Sequence, residues 1–352
     1  MKILVNVPCL KLLGGVANHY DGLKAFWTEN VKYNTIGKRI STKAGGGKYW
    51  LPFDIVKFVF RLLAFRPDVI IVNPSLAPNA LKRDFLFVNI ARFFKFKVAI
   101  FIHGFNLDYA NSIDKQWAVK NFNKASVILV LAQRFKDIMV SWGVSTPIRL
   151  TTTKVDDSLL QDFDLIKERD FSKHHILFLS RIERAKGVYE ATDTYAILKQ
   201  RYPDLTMSFV GDGTELDAIK KYVADKNLQD VVFTGRLSGT NLANEYKKGG
   251  FFIFTSYGEG MPTVVLEAMA FGLPVFTRKV GGLVDFFEDG KMGYITDSLN
   301  PEDFASAMAP FLDNPELTKT VSVYNAQYAK DHFMASKVAK QLEITIKETL
   351  AL

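Results

Sequence analysis

The sequence predicts an α/β protein of two units, each built on a parallel sheet. Three observations lead there. Short β-rich apolar runs alternate with longer helix-like stretches, the pattern of strands joined by crossover helices. The alternation is interrupted near residue 160 by a polar run and then starts again. The length of 352 residues with 48% hydrophobic content suffices to fill two ordinary cores.

In the first unit the expected strands are Lys2–Val7, Asp68–Val72, Lys97–Ile102 and Val127–Val130. Phe53–Phe65 and Asp84–Phe96, with Lys and Arg among apolar residues, are expected as helices. Ser41–Lys48 contains Gly45-Gly46-Gly47 between lysines and reads as a loop. Asp156-Asp157-Ser158 and the acids Asp162, Asp164, Glu168 and Asp170 read as the linker into the second unit. That unit restarts with a strand at His175–Ser180 and a helix from Val188 to Arg201. Strand Thr206–Val210, the turn Gly211-Asp212-Gly213 and helix Glu215–Asp225 follow, then strands Val231–Thr234, Gly250–Thr255 and Leu273–Thr277. The tail from Asp303 onward is expected to be largely helical. The resulting division is 1–160, 161–332, and a terminal helix 333–352 returning to the first unit.

Composition narrows the function classes. One cysteine, Cys9, leaves no disulfide framework and no multi-cysteine zinc site, and it fits a reducing, cytoplasmic setting. The start, MKILVNVPCLKLLGG, is broken by Pro8, Lys11 and Gly14-Gly15, so a buried first strand is expected rather than a secretory signal. No apolar run approaches the ~20 residues that cross a bilayer. Residues 1–160 hold 23 Lys/Arg against 10 Asp/Glu, whereas residues 161–352 hold 22 against 27. With no nucleic-acid-binding motif present, the basic, Phe-rich half suggests peripheral contact with an anionic membrane surface, the inner face of the cytoplasmic membrane, and no nucleic acid partner. The phenylalanines between Phe58 and Phe96 are read either as core or as membrane wedges.

The densest chemistry lies at Thr255-Ser-Tyr-Gly258-Glu259-Gly260-Met261-Pro262-Thr263, leading into Glu267. A strand, a glycine-containing turn and a helix starting near Pro262 would aim backbone N–H groups and the positive end of a helix dipole at a phosphate. Glu259 lies in the turn and Glu267 in the helix, so the two carboxylates address different parts of a ligand. Carboxylates suit sugar hydroxyls because they accept two hydrogen bonds. Upstream, Arg181 and Lys186 follow a strand and could together meet a diphosphate. A dinucleotide fingerprint is absent after the first strand, which disfavours a nicotinamide enzyme.

These residues resemble glycosyltransferase family 4. The resemblance is carried by the Glu-x7-Glu element at Glu259 and Glu267, Arg181…Lys186-Gly187, Gly211-Asp-Gly213, Gly235-Arg236, Gly272-Leu-Pro274, Gly281-Gly282 and Asp289-Gly290. In the first half it rests on Gly14-Gly15 and His103-Gly104. It implies the GT-B architecture, two Rossmann-like α/β domains with parallel sheets facing a central cleft, the first acceptor-side and the second holding the nucleotide sugar. It further implies that Arg181 and Lys186 bind the donor diphosphate and Glu267 the ribose. Glu259, with the backbone of Gly260, Met261, Pro262 and Thr263, would hold the donor sugar, with Gly211 supporting the same site. His103 would stand beside the transferred sugar, and the alternative of a hydrogen-bonded structural histidine stays open. Gly15 would let a loop approach the phosphates, or with Gly14 merely make a turn; Gly14, Lys43 and Lys48 are placed on the acceptor side.

The implied reaction is retaining transfer from a UDP- or GDP-sugar to a glycan or lipid-linked acceptor, as in surface polysaccharide or lipopolysaccharide assembly, with no metal and no other cofactor. Asp162-Phe-Asp164 has a metal-binding form but falls in the expected linker. A nucleotide-sugar epimerase and a non-catalytic nucleotide-sugar-binding subunit remain alternatives.

Overall fold

The computed structural model describes residues 1–12, 14–37 and 50–351. The expected loop at 41–48, with Lys43 and Lys48, lies outside the described residues. The chain divides into one unit of Met1–Lys154 with Ala335–Leu352 and a second of Val155–Met334.

The first unit runs β1 (Lys2–Val7), α1 (Gly15–Leu23), β2 (Asn30–Thr35), α2 (Leu51–Phe65), β3 (Val69–Val72), β4 (Ser75–Leu76), α3 (Pro78–Phe93), β5 (Lys97–Ile102), β6 (Gly104–Phe105), α4 (Leu107–Ser112), α5 (Lys115–Phe122), β7 (Val127–Val130), α6 (Gln133–Ser141) and β8 (Ile148–Leu150). Six strands form a parallel sheet in the order β2-β1-β3-β5-β7-β8, while β4 and β6 make a separate two-stranded pair. Central strands VIIV (β3) and VILV (β7) are buried at every residue, as a sheet covered on both faces requires. Helix α3 starts earlier than its sequence pattern suggests because Pro78 occupies its first turn, where the missing N–H costs nothing.

The second unit contains α7 (Leu165–Glu168), β9 (His175–Leu179), α8 (Val188–Arg201), β10 (Thr206–Val210), α9 (Leu216–Asp225), β11 (Val231–Gly235), α10 (Gly239–Lys248), β12 (Phe251–Phe254), α11 (Thr263–Ala270), β13 (Val275–Arg278), β14 (Gly293–Thr296), α12 (Pro301–Asp313) and α13 (Pro315–His332). Its parallel sheet has the order β11-β10-β9-β12-β13-β14. Side chains alternate between two cores. Ile176 and Phe178 of β9, with Phe251 and Ile253 of β12, pack into one, and Leu177, Phe252 and Phe254 pack into the other. The last helix, α14 (Ala335–Leu350), belongs to the first unit, where Glu343 accepts from the Thr28 N–H at 2.9 Å and Lys97 Nζ donates to the Leu350 carbonyl at 2.8 Å.

The boundary differs from the expected 160/161. Val155 is fully buried and its N–H donates to the Phe333 carbonyl at 2.7 Å, so the second unit begins there. Two of the acids read as a linker are caps: Asp156 accepts from the Ser158 N–H at 3.1 Å, and Asp164 accepts from the N–H groups of Ile166 and Lys167. Asp162-Phe-Asp164 is thus part of the second unit, with Asp164 engaged in capping α7. Phe58, Phe65, Phe85 and Phe87 are core, Phe94 and Phe96 are half-buried against it, and Phe60 and Phe93 are 72% and 80% exposed.

Candidate functional site

In open parallel sheets ligands bind beyond the carboxyl ends of the strands, where strand order reverses. In the second unit this switch point falls between β9 and β12, which are neighbours although 71 residues and two strands separate them in the chain. The loops leaving these two strands are therefore side by side, and they carry the residues singled out above.

The two loops are laced together by backbone. The Tyr257 N–H donates to the Ala185 carbonyl at 2.9 Å, and the Thr255 hydroxyl donates to the Gly187 carbonyl at 2.7 Å. Gly187 has φ +74°, and a methyl group on it would stand 2.2 Å from the Thr255 carbonyl oxygen. Only glycine permits that approach. The lacing brings Lys186 Nζ to 2.5 Å from Glu259 Oε1, which also accepts from the Ser256 hydroxyl at 2.9 Å. Both side chains retain some exposure, 12% for Lys186 and 19% for Glu259, so the pair is sheltered but reachable.

Arg181 is not brought to the same group. It is 68% exposed and bonds to Glu183 Oε1 at 2.6 Å, two residues along its own loop. The expected joint action of Arg181 and Lys186 is therefore not preassembled, because a nearer carboxylate holds the arginine. Arg278, which sequence reasoning passed over, anchors the adjoining loop by donating to the carbonyls of Asp297 and Ser298, at 3.0 and 3.1 Å.

Pro262 is the residue just before helix α11, with Thr263 its first helical residue. The Gly260 carbonyl is held from outside by the Gly282 N–H at 2.8 Å. Gly281 has φ +52°, and a methyl group there would lie 2.0 Å from the Gly260 oxygen, so that glycine is what allows the two turns to touch. Met261 is partly buried against the core under α11. Gly211 directly follows β10, its N–H donating to the Gly235 carbonyl at 2.9 Å.

Glu267 sits in α11 and is only 6% exposed. Its Oε2 accepts from the hydroxyl of Tyr246, a fully buried residue of α10, at 2.8 Å. Burial first, and the neighbouring Glu267 carboxylate second, push the Tyr246 phenol well above its usual range, so it stays a donor. No pattern in GTNLANEYKK marks Tyr246 for this task; an aromatic in a polar helix reads as a packing residue.

In the first unit the strand order reverses between β1 and β3. Gly14 caps and Gly15 starts α1, and no other described element comes within 4 Å of where a side chain would start at either. Asn73, which follows β3, is the hub of the edge. Its Oδ1 accepts from the Tyr20 hydroxyl at 2.7 Å and meets His103 Nε2 at 3.1 Å, while its Nδ2 donates to the Asn6 carbonyl at 2.8 Å. Because that oxygen can only accept, the contact assigns the proton of His103 to Nε2. The His103 ring stacks on Phe101 at 3.8 Å, and burial lowers its pKa to about 3. His19, missed in the sequence, packs edge-on at 5.1 Å from His103, and burial chiefly, then His103 and Lys154, hold it well below the usual histidine range. Both imidazoles are thus neutral near pH 7.

The second unit is thus an open parallel α/β sheet with a lysine–carboxylate pair at its switch point. A family profile described as "Glycosyl transferases group 1" matches residues 163–343, and the chain belongs to that family of enzymes. It is similar to the D-inositol 3-phosphate glycosyltransferase of Paenarthrobacter aurescens, 31% identical over 175 residues that cover 48% of this chain and 43% of that one. It is also similar to the alpha-D-kanosaminyltransferase of Streptomyces kanamyceticus, 24% identical over 242 residues covering 64% and 62%. The chain spans less than half the length of the first curated relatives it matches, 43% and 35%. Among solved structures it resembles sucrose-phosphate synthase from Thermosynechococcus elongatus, with TM-score 0.79, 17% identity and 99% of both chains covered. Anabaena HepE in complex with UDP and glucose gives TM-score 0.72 and 20% identity, again over 99% of both. Two parallel-sheet α/β units and these likenesses make the fold GT-B.

Proposed function

We propose that the protein is a retaining hexosyltransferase of the family 4 type, moving a sugar from a nucleoside-diphosphate donor to a glycan or lipid-linked acceptor. The observation carrying this reading is the Lys186–Glu259 pair beyond β9 and β12. A lysine there can meet a diphosphate and a carboxylate can meet sugar hydroxyls, so donor binding exchanges one internal ion pair for two ligand contacts. Glu267, fixed by Tyr246, would take the ribose. Arg181 would leave Glu183 for the phosphates, joined by the N–H groups at the start of α11. Gly211 and the Gly260–Thr263 backbone shape the donor pocket in this account, while Gly14, Gly15, Lys43 and Lys48 belong to approach and acceptor. Neutral His103, donating through Nε2 to Asn73, would leave Nδ1 as an acceptor toward a sugar hydroxyl. The leaving phosphate would help deprotonate the attacking hydroxyl on the same face of the sugar, with lysine, arginine and helix start rather than a metal balancing its charge.

Two proteins similar to this one carry UDP in their structures, Anabaena HepE and the pneumococcal O-GlcNAc transferase GtfA, which puts UDP-sugars first among candidate donors. The test is nucleotide release from UDP- and GDP-sugars with and without lipid-linked or oligosaccharide acceptors. Release that depends on acceptor, with the anomer retained by NMR, supports transfer. An epimerised sugar without acceptor points instead to an epimerase, and donor binding without turnover to a non-catalytic subunit.

A further inference from the structure

Helix α2 carries a line of solvent-exposed apolar residues along one side. Phe53, Val56, Phe60 and Leu63 are 55%, 68%, 72% and 53% exposed, and steps of three, four and three residues align them on one stripe. A different stripe, Phe58, Leu62 and Phe65, enters the core. Single exposed apolar residues are ordinary, but four in register on one helix form a patch.

A second feature adjoins this stripe. Helix α2 and strands β1 and β2 border a groove of about 410 Å3 with apolar walls from Leu4, Phe60 and Phe65 and two cations, Lys32 and Arg61. Among the described residues neither cation has a carboxylate partner: Lys32 lies 4.5 Å over the Phe65 ring, and Arg61 donates to the Tyr33 carbonyl. Arg66, exposed just past the helix, adds a third positive charge. The unit that contains α2 carries 26 Lys/Arg against 10 Asp/Glu, so the surrounding field is positive as well.

We infer that this face docks on an anionic lipid bilayer, the stripe entering between acyl chains and Lys32, Arg61 and Arg66 meeting lipid phosphates. Cations flanking an aromatic and aliphatic stripe are what a helix lying in a membrane interface needs; nucleic acid would call for the cations but not the stripe. Since no described helix is long and apolar enough to cross a membrane, attachment by this face is peripheral. The inference does not rest on the donor site.

The full chain is sedimented with vesicles of phosphatidylcholine alone and of phosphatidylcholine mixed with phosphatidylglycerol. Wild type is expected to partition onto the anionic vesicles at least ~10-fold more strongly, with the difference shrinking as salt rises. The double substitution Val56→Ser and Phe60→Ser, at exposed positions, should lower that partition ~10-fold or more while the thermal midpoint stays put. Lys32→Gln with Arg66→Gln should lower it by a similar factor on anionic vesicles only. Binding that is absent, indifferent to lipid charge, or unchanged in both variants would overturn the inference. So would a concentration-dependent dimer in light scattering that the Val56/Phe60 variant abolishes, since the stripe would then serve a second copy. Nucleotide calorimetry on the same preparations keeps a failure here separate from a failure of the proposed transfer.

Discussion

Lys186 Nζ and Glu259 Oε1 are 2.5 Å apart although 73 residues separate them, so the two loops at the switch point neutralise each other. If Lys186 meets the donor diphosphate as proposed, replacing it by Met should weaken nucleoside-diphosphate binding by roughly 10- to 100-fold, the cost of a lost charge-assisted contact. A double-mutant cycle of Lys186→Met and Glu259→Gln, read by urea unfolding, should give a coupling of about 1–3 kcal/mol. Additive effects would mean that the pair is not formed in solution.

The hydroxyl of Tyr246 fixes one oxygen of Glu267 inside the second unit. Tyr246→Phe removes one hydrogen bond to a buried carboxylate, so a stability loss of about 1–3 kcal/mol is expected in thermal or urea unfolding. If Glu267 holds the ribose, the same change should weaken nucleotide binding several-fold, and Glu267→Ala should weaken it further. A stability loss with unchanged nucleotide affinity would leave the pair a purely structural contact.

Gly281 touches the Gly260 carbonyl so closely that any side chain must displace it. Gly281→Ala should destabilise the second unit by about 1–3 kcal/mol and loosen the turn that precedes α11. Calorimetry on the refolded variant should show weakened donor binding even though no ligand-facing side chain has changed.

His103 has its pKa lowered from 6.5 to about 3 by burial. Between those values the unfolded chain takes up a proton that the folded chain refuses, so stability is full above pH ~6.5 and falls as pH drops toward 3. His19, shifted in the same direction, acts in the same sense. His103→Gln should flatten the loss of unfolding free energy below pH 6.5 by up to about 1.4 kcal/mol per pH unit. An unaltered slope would contradict an imidazole held neutral in the folded chain.

What the sequence disclosed depended on whether the physics was local. Strands VIIV, VILV and FFIF are apolar throughout because helices cover both their faces, and they stand out as runs. Edge strand NVKYNT shows little burial and no such run, and IRL is too short to register, so β2 and β8 were missed. Glu259 and Lys186 were singled out, each for a ligand, whereas their mutual contact follows from strand order, which no periodicity encodes. Asp156 and Asp164 misled for a related reason, since caps and linkers draw on the same residues. Tyr246 and His19 gave no signal because burial, not composition, gives them their roles.

The central claim is that the carboxyl edge of the second sheet binds a nucleotide sugar. Isothermal calorimetry of UDP, GDP, ADP and their common sugars against wild type and Glu267→Ala tests it most directly. The account predicts selective binding of one nucleotide and its sugars, weakened at least ~10-fold by the substitution. Selective binding that Glu267→Ala leaves intact, or no binding of any nucleotide by folded wild-type protein, would contradict it.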